Sequence, residues 1–331
     1  MPDPVCRLSF DEVIDRLLAL KRPYHKNYLA MYSSWYGGIV TDPALMMIPV
    51  DDHLVHRGDG IFEACKCTGG KVYALDRHLD RMARSAETSV LNLPERSRLV
   101  EIVLDTIRAA GIPDCLLKIL VSRGPGGFSA NPYECPESQL YVVAAILSVP
   151  PPEKYEKGVR IISSRIPMKS DVFAIIKSCN YLPNVLMKME AEDAGAEYAI
   201  SIDDGGFLGE GPTENIGIVT RNKEFLVPKF GRVLRGITVT RVMELADSLI
   251  REGILVRVGE ADITPRQAYD AVEVMMFGTS FDVLPVVDYD GREIGGGTPG
   301  PVFRRFLDLL RGDVRNCSEM TIPVEGEARG R

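Results

Sequence analysis

Val149-Pro150-Pro151-Pro152 limits the fold of this chain more than any other stretch. A proline triplet offers no N–H to a helix or a ladder and holds itself extended, so no element runs through it. It divides the 331 residues into two parts, each long enough for its own core, and such a length supports about two domains.

Periodicity fills both parts with mixed elements. Ser9 reads as the N-cap of a helix over 9–20. Asp11 and Glu12 favour its first turn, and Val13, Leu17, Leu18 and Leu20 form an apolar face expected to pack on the main body. Strand patterns cover 32–40, with a hairpin at Gly37-Gly38, then 46–50, 60–66, 71–74, 115–122 and 139–147. Helical patterns cover 76–89 and 94–110. Beyond the prolines, strands are expected at 159–164, 197–203, 215–220, 224–228, 255–258, 272–277 and 283–288. Helices are expected at 180–194, 238–252 and 300–310. Without a regular strand–helix alternation, the class is α+β. The implied organisation is a helical extension (1–28), a small α+β domain (29–149), a Pro-rich linker (150–158), a larger α+β domain (159–316) and a tail (317–331) ending in disorder from Glu325.

A net charge of −7 with no Lys/Arg run argues against nucleic acid and anionic membrane as partners. No apolar run reaches the roughly 18–20 residues that span a bilayer. Met1-Pro2-Asp3-Pro4 lacks the basic head and apolar segment of a signal peptide. The seven cysteines are odd in number and scattered, which fits reduced thiols in the cytoplasm, with Cys65 and Cys67 on one strand face. His25, His53, His56 and His78 do not cluster with carboxylates at ligand spacing, so no metal is expected.

Four places carry chemistry. Lys177 follows the apolar run 172–176, read as a buried strand, and a lysine there is costly unless neutral, paired or covalently used. Glu210 stands between two glycines and is free to face a ligand. Leu234-Arg235-Gly236-Ile237-Thr238 leads into a helix and offers N–H groups and a hydroxyl to an anion. Gly278-Thr279-Ser280 brings further hydroxyls to a strand end. Pyridoxal phosphate accounts for a buried lysine, a lone carboxylate and a helix-end anion site together.

The chain resembles the class IV, fold-type IV pyridoxal-phosphate aminotransferases over roughly residues 30–290. The matching pieces are HLVHRGDGIFE (53–63), HLDR (78–81), KSCNYLPN (177–184), EGPTEN (210–215), LRGIT (234–238) and GTS (278–280). MYSS (31–34) and the run through Glu192 are most similar to plant-type D-amino-acid transaminases. The resemblance implies that Lys177 is the Schiff-base lysine and proton carrier and that Glu210 pairs with the pyridine nitrogen. Arg81, Ile237, Thr238 and Thr279 would hold the phosphate, with Asn215 and Gly236 beside them. Leu234 would pack under the ring and Tyr181 would approach its O3′. It also implies a cofactor between two α+β domains, in a homodimer whose partner lends a loop to each site.

Substrate choice is less sharply marked. Phe62-Glu63-Ala64 and the lysine–tyrosine spacing differ from branched-chain enzymes, and Glu63 stands where aminodeoxychorismate lyases carry threonine. The loop 122–127 nevertheless resembles lyase loops. Phe62, Phe128 and Ala130 replace the polar groups that bind the substrate carboxylate in bacterial D-amino-acid transaminases. Arg57, His56 and Arg123 are then the nearest candidates for that carboxylate, with Phe62 and Ser280 also at the substrate. The expected activity is transfer of an amino group from an amino acid, first of all a D-amino acid, to a 2-oxo acid in two half-reactions. The alternatives are a lyase releasing pyruvate, a branched-chain aminotransferase and a non-catalytic phosphate-ligand binder.

Overall fold

The structure is a computed structural model that describes residues 5–169 and 172–325. The readings of Met1-Pro2-Asp3-Pro4 and of the chain end from residue 326 lie outside the described residues.

Ahead of the prolines stand α1 (Phe10–Ala19), β1 (Tyr28–Ser33), β2 (Gly38–Val40), α2 (His53–Arg57), β3 (Gly60–Thr68), β4 (Lys71–Tyr73), α3 (Leu75–Ser89), α4 (Arg96–Ala110), β5 (Cys115–Ser122) and β6 (Gln139–Ile146). Their strands form an antiparallel sheet in the order β4-β3-β5-β6-β1-β2. Burial alternates along β3 and β5, as it must where only one sheet face is covered. Ile61, Cys65, Cys67, Leu117, Ile119 and Val121 pack with Leu79, Met82, Leu99 and Ile102 of α3 and α4. Phe62, Ala64, Leu116, Lys118 and Leu120 point to the other face, where Ala64 opposes Lys118 and Phe62 opposes Leu120.

Beyond the prolines the chain runs through α5 (Pro152–Lys157), β7 (Val159–Ser163), α6 (Val172–Ile175), α7 (Leu182–Asp193), β8 (Tyr198–Ile200), β9 (Asn215–Val219), β10 (Glu224–Pro228), α8 (Ile237–Leu245), α9 (Asp247–Arg251) and β11 (Arg257–Ala261). It continues through α10 (Pro265–Tyr269), β12 (Glu273–Gly278), β13 (Asp282–Tyr289), β14 (Arg292–Glu293) and α11 (Pro301–Asn316). The second sheet has the order β11-β10-β9-β12-β13-β7-β8, with β14 on β13. Its pairings are parallel at β10–β11, β13–β7 and β7–β8 and antiparallel elsewhere. Phe225, Phe277, Val242 and Phe306 meet in its core. The architecture is α+β, in two sheets.

Several local expectations change. Residues 172–176 hold a short helix, not a buried strand, and Phe173 is 64% exposed. Residues 46–50 form no strand, because Pro49 lacks an N–H and Met47 and Val50 find no cover. The helix at 238–252 breaks at Ala246 into α8 and α9. Helix α1 has the capping box of Ser9 and Glu12, but no residue of it is buried, so its apolar face does not pack into the body. Pro152 starts α5, whose Tyr155 donates to the Phe281 carbonyl at 3.0 Å, so part of the 150–158 stretch is anchored helix. From the stretch read as a tail, β15 (Thr321–Pro323) pairs with β4 at the edge of the first sheet.

Candidate active site

The segment 177–179 leaves the second half of the chain and joins the edge of β3. Strand β4 pairs with β3 only at Cys67 and Thr68, so the start of that edge is open. The Phe62 N–H donates to the Lys177 carbonyl at 2.9 Å, and the Cys179 N–H donates to the Gly60 carbonyl at 2.8 Å. Ser178 and Ile61 form the bridge between them. The Lys177 side chain is thereby aimed between the sheets, its Nζ 4.7 Å from the centroid of the Phe62 ring. Among the described residues, no acceptor forms a hydrogen bond with that Nζ.

The cavity there has a volume of about 400 Å³. Lys177, Tyr181, Glu210, Leu234, Thr238 and Thr279 line it, and so do Phe62, Arg81, Asn215, Gly236, Ile237 and Ser280. Residues far apart in sequence meet because the sheets face one another: β3 and β5 supply one wall, while α8 and the β12–β13 turn supply another.

Glu210 is fixed by its backbone. Ser201 Oγ donates to the Glu210 carbonyl at 2.9 Å, and the Glu210 N–H donates back to Ser201 Oγ at 3.1 Å. Its Oε2 accepts the Leu234 N–H at 3.2 Å. The flanking glycines serve close packing more than side-chain freedom. A Cβ on Gly209 would lie 2.2 Å from Met168 Sδ, and one on Gly211 would lie 2.6 Å from Glu214 Oε2. Burial pushes the Glu210 carboxyl up, against the pull of Lys177. Burial, aided by the Arg81 charge, lowers the Lys177 amine to about 8.

Arg81 is held by a residue without an assigned role in the sequence reading. Its Nε and Nη2 donate to the two oxygens of Glu63, each at 2.7 Å, and Nη1 donates to the Arg235 carbonyl at 3.0 Å. His78 Nδ1 lies 2.7 Å from Glu63 Oε2. Burial opposes the charge on Glu63, but Arg81 and His78 outweigh it and hold the carboxyl at about 2. Three of the five guanidinium donors are engaged, leaving one N–H on each of Nη1 and Nη2. Only part of the signal for this clamp lies in the sequence: His78 and Arg81 lie three apart on one helix face and Glu63 alternates away from Phe62 and Ala64, but that these two faces meet is set by the fold.

Three sequence candidates are absent from the cavity wall. Arg123 pairs with both oxygens of Asp59 at 3.0 Å and donates to the Ser89 and Val90 carbonyls at 2.9 and 2.6 Å. A carboxylate and the open end of α3 use up its guanidinium. Arg57 donates to the Phe128 and His56 carbonyls at an exposed helix end. His56 sits with Nε2 3.3 Å from the Asp51 carbonyl. None of the three lines this chain's own cavity. Lys118 lines it instead, and Lys169 places its Nζ 4.9 Å from the centroid of the Tyr181 ring; sequence reading passed over both.

The donor set fits pyridoxal phosphate. A half-buried amine stands free of hydrogen bonds, a carboxyl faces the same space, and Arg81 retains unspent donors. Gly236 keeps the start of α8 open: a Cβ there would lie 1.8 Å from Asn215 Oδ1, whose amide donates to the Leu234 carbonyl at 3.0 Å. The sequence pattern of the amino-transferase class IV family matches residues 60–289. The chain belongs to the class IV aminotransferases. It is 41% identical over 313 residues to a chloroplastic D-amino-acid transaminase of Arabidopsis thaliana, covering 93% of this chain and 82% of that one. The branched-chain amino acid aminotransferase of Escherichia coli has a similar fold, with a TM-score of 0.82 at 25% identity, covering 90% and 100% of the two chains. The T.th. branched-chain amino acid aminotransferase complexed with N-(5′-phosphopyridoxyl)-L-glutamate gives 0.81 at 27% identity, covering 90% and 99%. The enzyme is thus a pyridoxal-phosphate-dependent aminotransferase that works on amino acids and 2-oxo acids. Among the described residues no helix is long and apolar enough to cross a membrane.

Proposed function

We propose that the enzyme moves the amino group of a D-amino acid to a 2-oxo acid in two half-reactions, with Lys177 as the proton carrier. The observation that carries this reading is that half-buried Lys177 and Glu210 line one cavity, the amine lowered and the carboxyl raised. When bound, pyridoxal phosphate supplies an electron sink for the bonds at the substrate α-carbon. The chain's residues do the rest. Lys177 Nζ, easily neutral in its half-buried setting, would take the α-proton and deliver it to the cofactor's C4′, across the nitrogen that links the two carbons. Glu210 would pair with the ring nitrogen, and its position is kept by Ser201 and Leu234. Leu234 would lie against the ring, and Tyr181 would reach its phenolic oxygen. Thr238, Thr279, the Ile237 N–H and the unspent Arg81 donors would take the phosphate, joined by the positive end of α8. Asn215 and Gly236 hold that helix start open. Phe62 and Ser280 flank the substrate.

The D-amino acid is supported by the 41% identity to the Arabidopsis enzyme. A screen of the cofactor spectrum with D- and L-alanine, glutamate, methionine and leucine tests it. Bleaching by D-amino acids is expected, and bleaching by L-leucine alone would contradict it.

A second copy of the chain completes the assembly in this reading. Phe173 and Leu182 are 64% and 65% exposed, and Val172, Ile175 and Met189 extend the same apolar stretch over α6 and α7. The exposed loop bearing Phe128, tied to Arg57, is the loop that would reach the partner's cavity. The free cysteines support a reducing compartment, which we take to be the cytoplasm.

A further inference from the structure

We propose that Lys118 selects substrates carrying a second, side-chain carboxylate, an inference that rests on the aminotransferase reading above. Three basic residues line the cavity: Arg81, Lys118 and Lys177. Arg81 is paired with Glu63, and Lys177 is the reacting amine. Lys118 is exposed and, among the described residues, has no ion pair or hydrogen bond. Arg57 and Arg123 are spent on Phe128, Asp59 and the end of α3, and Lys169 stands over the Tyr181 ring rather than on the β5 wall.

Its place on the sheet fixes what it can reach. Cys115, Leu117, Ile119 and Val121 turn into the core, so Leu116, Lys118 and Leu120 face the cavity. Lys118 opposes Ala64, and Leu120 opposes Phe62. Lys118 is therefore diagonal to Phe62, a separation of about 7–8 Å between strand positions. The Phe62 ring lies under the Lys177 amine. The methyl of Ala64 leaves the intervening space open. An α-carboxylate is bonded to the reacting carbon and stays beside Lys177, one strand and two residues away from Lys118. A distal carboxylate is carried outward by methylene groups along Phe62, Leu116 and Leu120 and ends at the Lys118 ammonium. A neutral substrate meets the same apolar wall, and the flexible lysine stem stays in water. One cavity can then accept both members of an unlike donor–acceptor pair.

The test uses achiral acceptors, so it does not depend on whether the donor is D or L. Holoenzyme in the aminated cofactor form is mixed with 2-oxoglutarate or with 2-oxopentanoate, a neutral acceptor of the same chain length. Lys118→Gln is expected to lower the ratio of kcat/KM for 2-oxoglutarate over 2-oxopentanoate by about tenfold or more, through KM, as loss of a charge-assisted hydrogen bond predicts. Lys118→Arg is expected to keep most of that ratio, and Lys118→Glu to lower it further. Calorimetric binding of glutarate against pentanoate should show the same order. An unchanged ratio in Lys118→Gln, or an equal fall for both acceptors, would overturn the assignment. If wild-type holoenzyme converts neither acceptor, the aminotransferase reading fails by itself, while the glutarate–pentanoate comparison still decides for or against Lys118.

Discussion

Glu63 and Arg81 show how much can depend on a residue outside the reaction. The pair is buried and bidentate, with His78 on the same carboxylate. Removing one partner leaves the other charge without compensation in a dry site. Glu63→Gln should therefore destabilise the protein by about 3–5 kcal/mol in denaturant titration; a loss below about 1 kcal/mol would show that Arg81 finds other partners. The pH dependence has a definite sign. The folded carboxyl is held at about 2, below its unfolded value, so the stabilisation is complete above the ordinary carboxylate range and is lost as pH falls through about 2. Glu63→Gln should flatten that part of the acid-unfolding curve. Lys177 is lowered as well, but in an amine this favours the neutral form: it falls to about 8, so the neutral form gains as pH rises through 8 rather than about 10.4. The rate at which cofactor-free protein takes up pyridoxal phosphate, followed by absorbance, should rise with an inflection near pH 8. An inflection above pH 10 would mean that the amine is not desolvated.

At the scale of elements, α8 is the part most sensitive to a small change. A Cβ at Gly236 would sit 1.8 Å from Asn215 Oδ1. Gly236→Ala should cost about 1–3 kcal/mol by overpacking and weaken cofactor retention, and a second change, Asn215→Ala, should recover part of both. Differential scanning and a cofactor titration would check this; full retention in the single variant would contradict it. Elements with strong punctuation were legible in the sequence. The Ser9 N-cap and the β-rich runs of β3, β5 and β6 have local causes and are found in place, whereas the first hairpin turns over 34–37, ahead of the expected Gly37-Gly38, with Gly38 already paired to Ser33. Weakly punctuated apolar runs were not legible. Residues 46–50 and 172–176 read as strands, but no sheet edge lies beside them, and tertiary context decides such runs. The site follows the same division. Lys177, Glu210 and Thr238 stand in motifs and were legible, whereas the partners of Glu63 and the inward side of Lys118 depend on which sheet face the chain covers.

At the scale of the molecule, the chain returns twice to an edge of its first sheet, at 177–179, which carries Lys177 to the cavity, and at β15. A residue-by-residue reading has no access to these returns, since neither is set by spacing. The apolar surface over α6 and α7 belongs to the same scale. The double change Phe173→Asp with Leu182→Asp should convert a dimer to a monomer in light scattering, and an unchanged mass would place the interface elsewhere. In the proposed reaction Lys177 carries both the cofactor and the proton. The most direct measurement is the absorbance of wild-type and Lys177→Ala protein loaded with pyridoxal phosphate, before and after adding D-alanine. Wild type should show the bound-cofactor band and lose it on adding D-alanine, with pyruvate formed. Lys177→Ala should lack the band and form pyruvate at least about 1,000-fold more slowly, the order of a lost nucleophile or base. Pyruvate formation by Lys177→Ala at a rate near wild type would contradict the account.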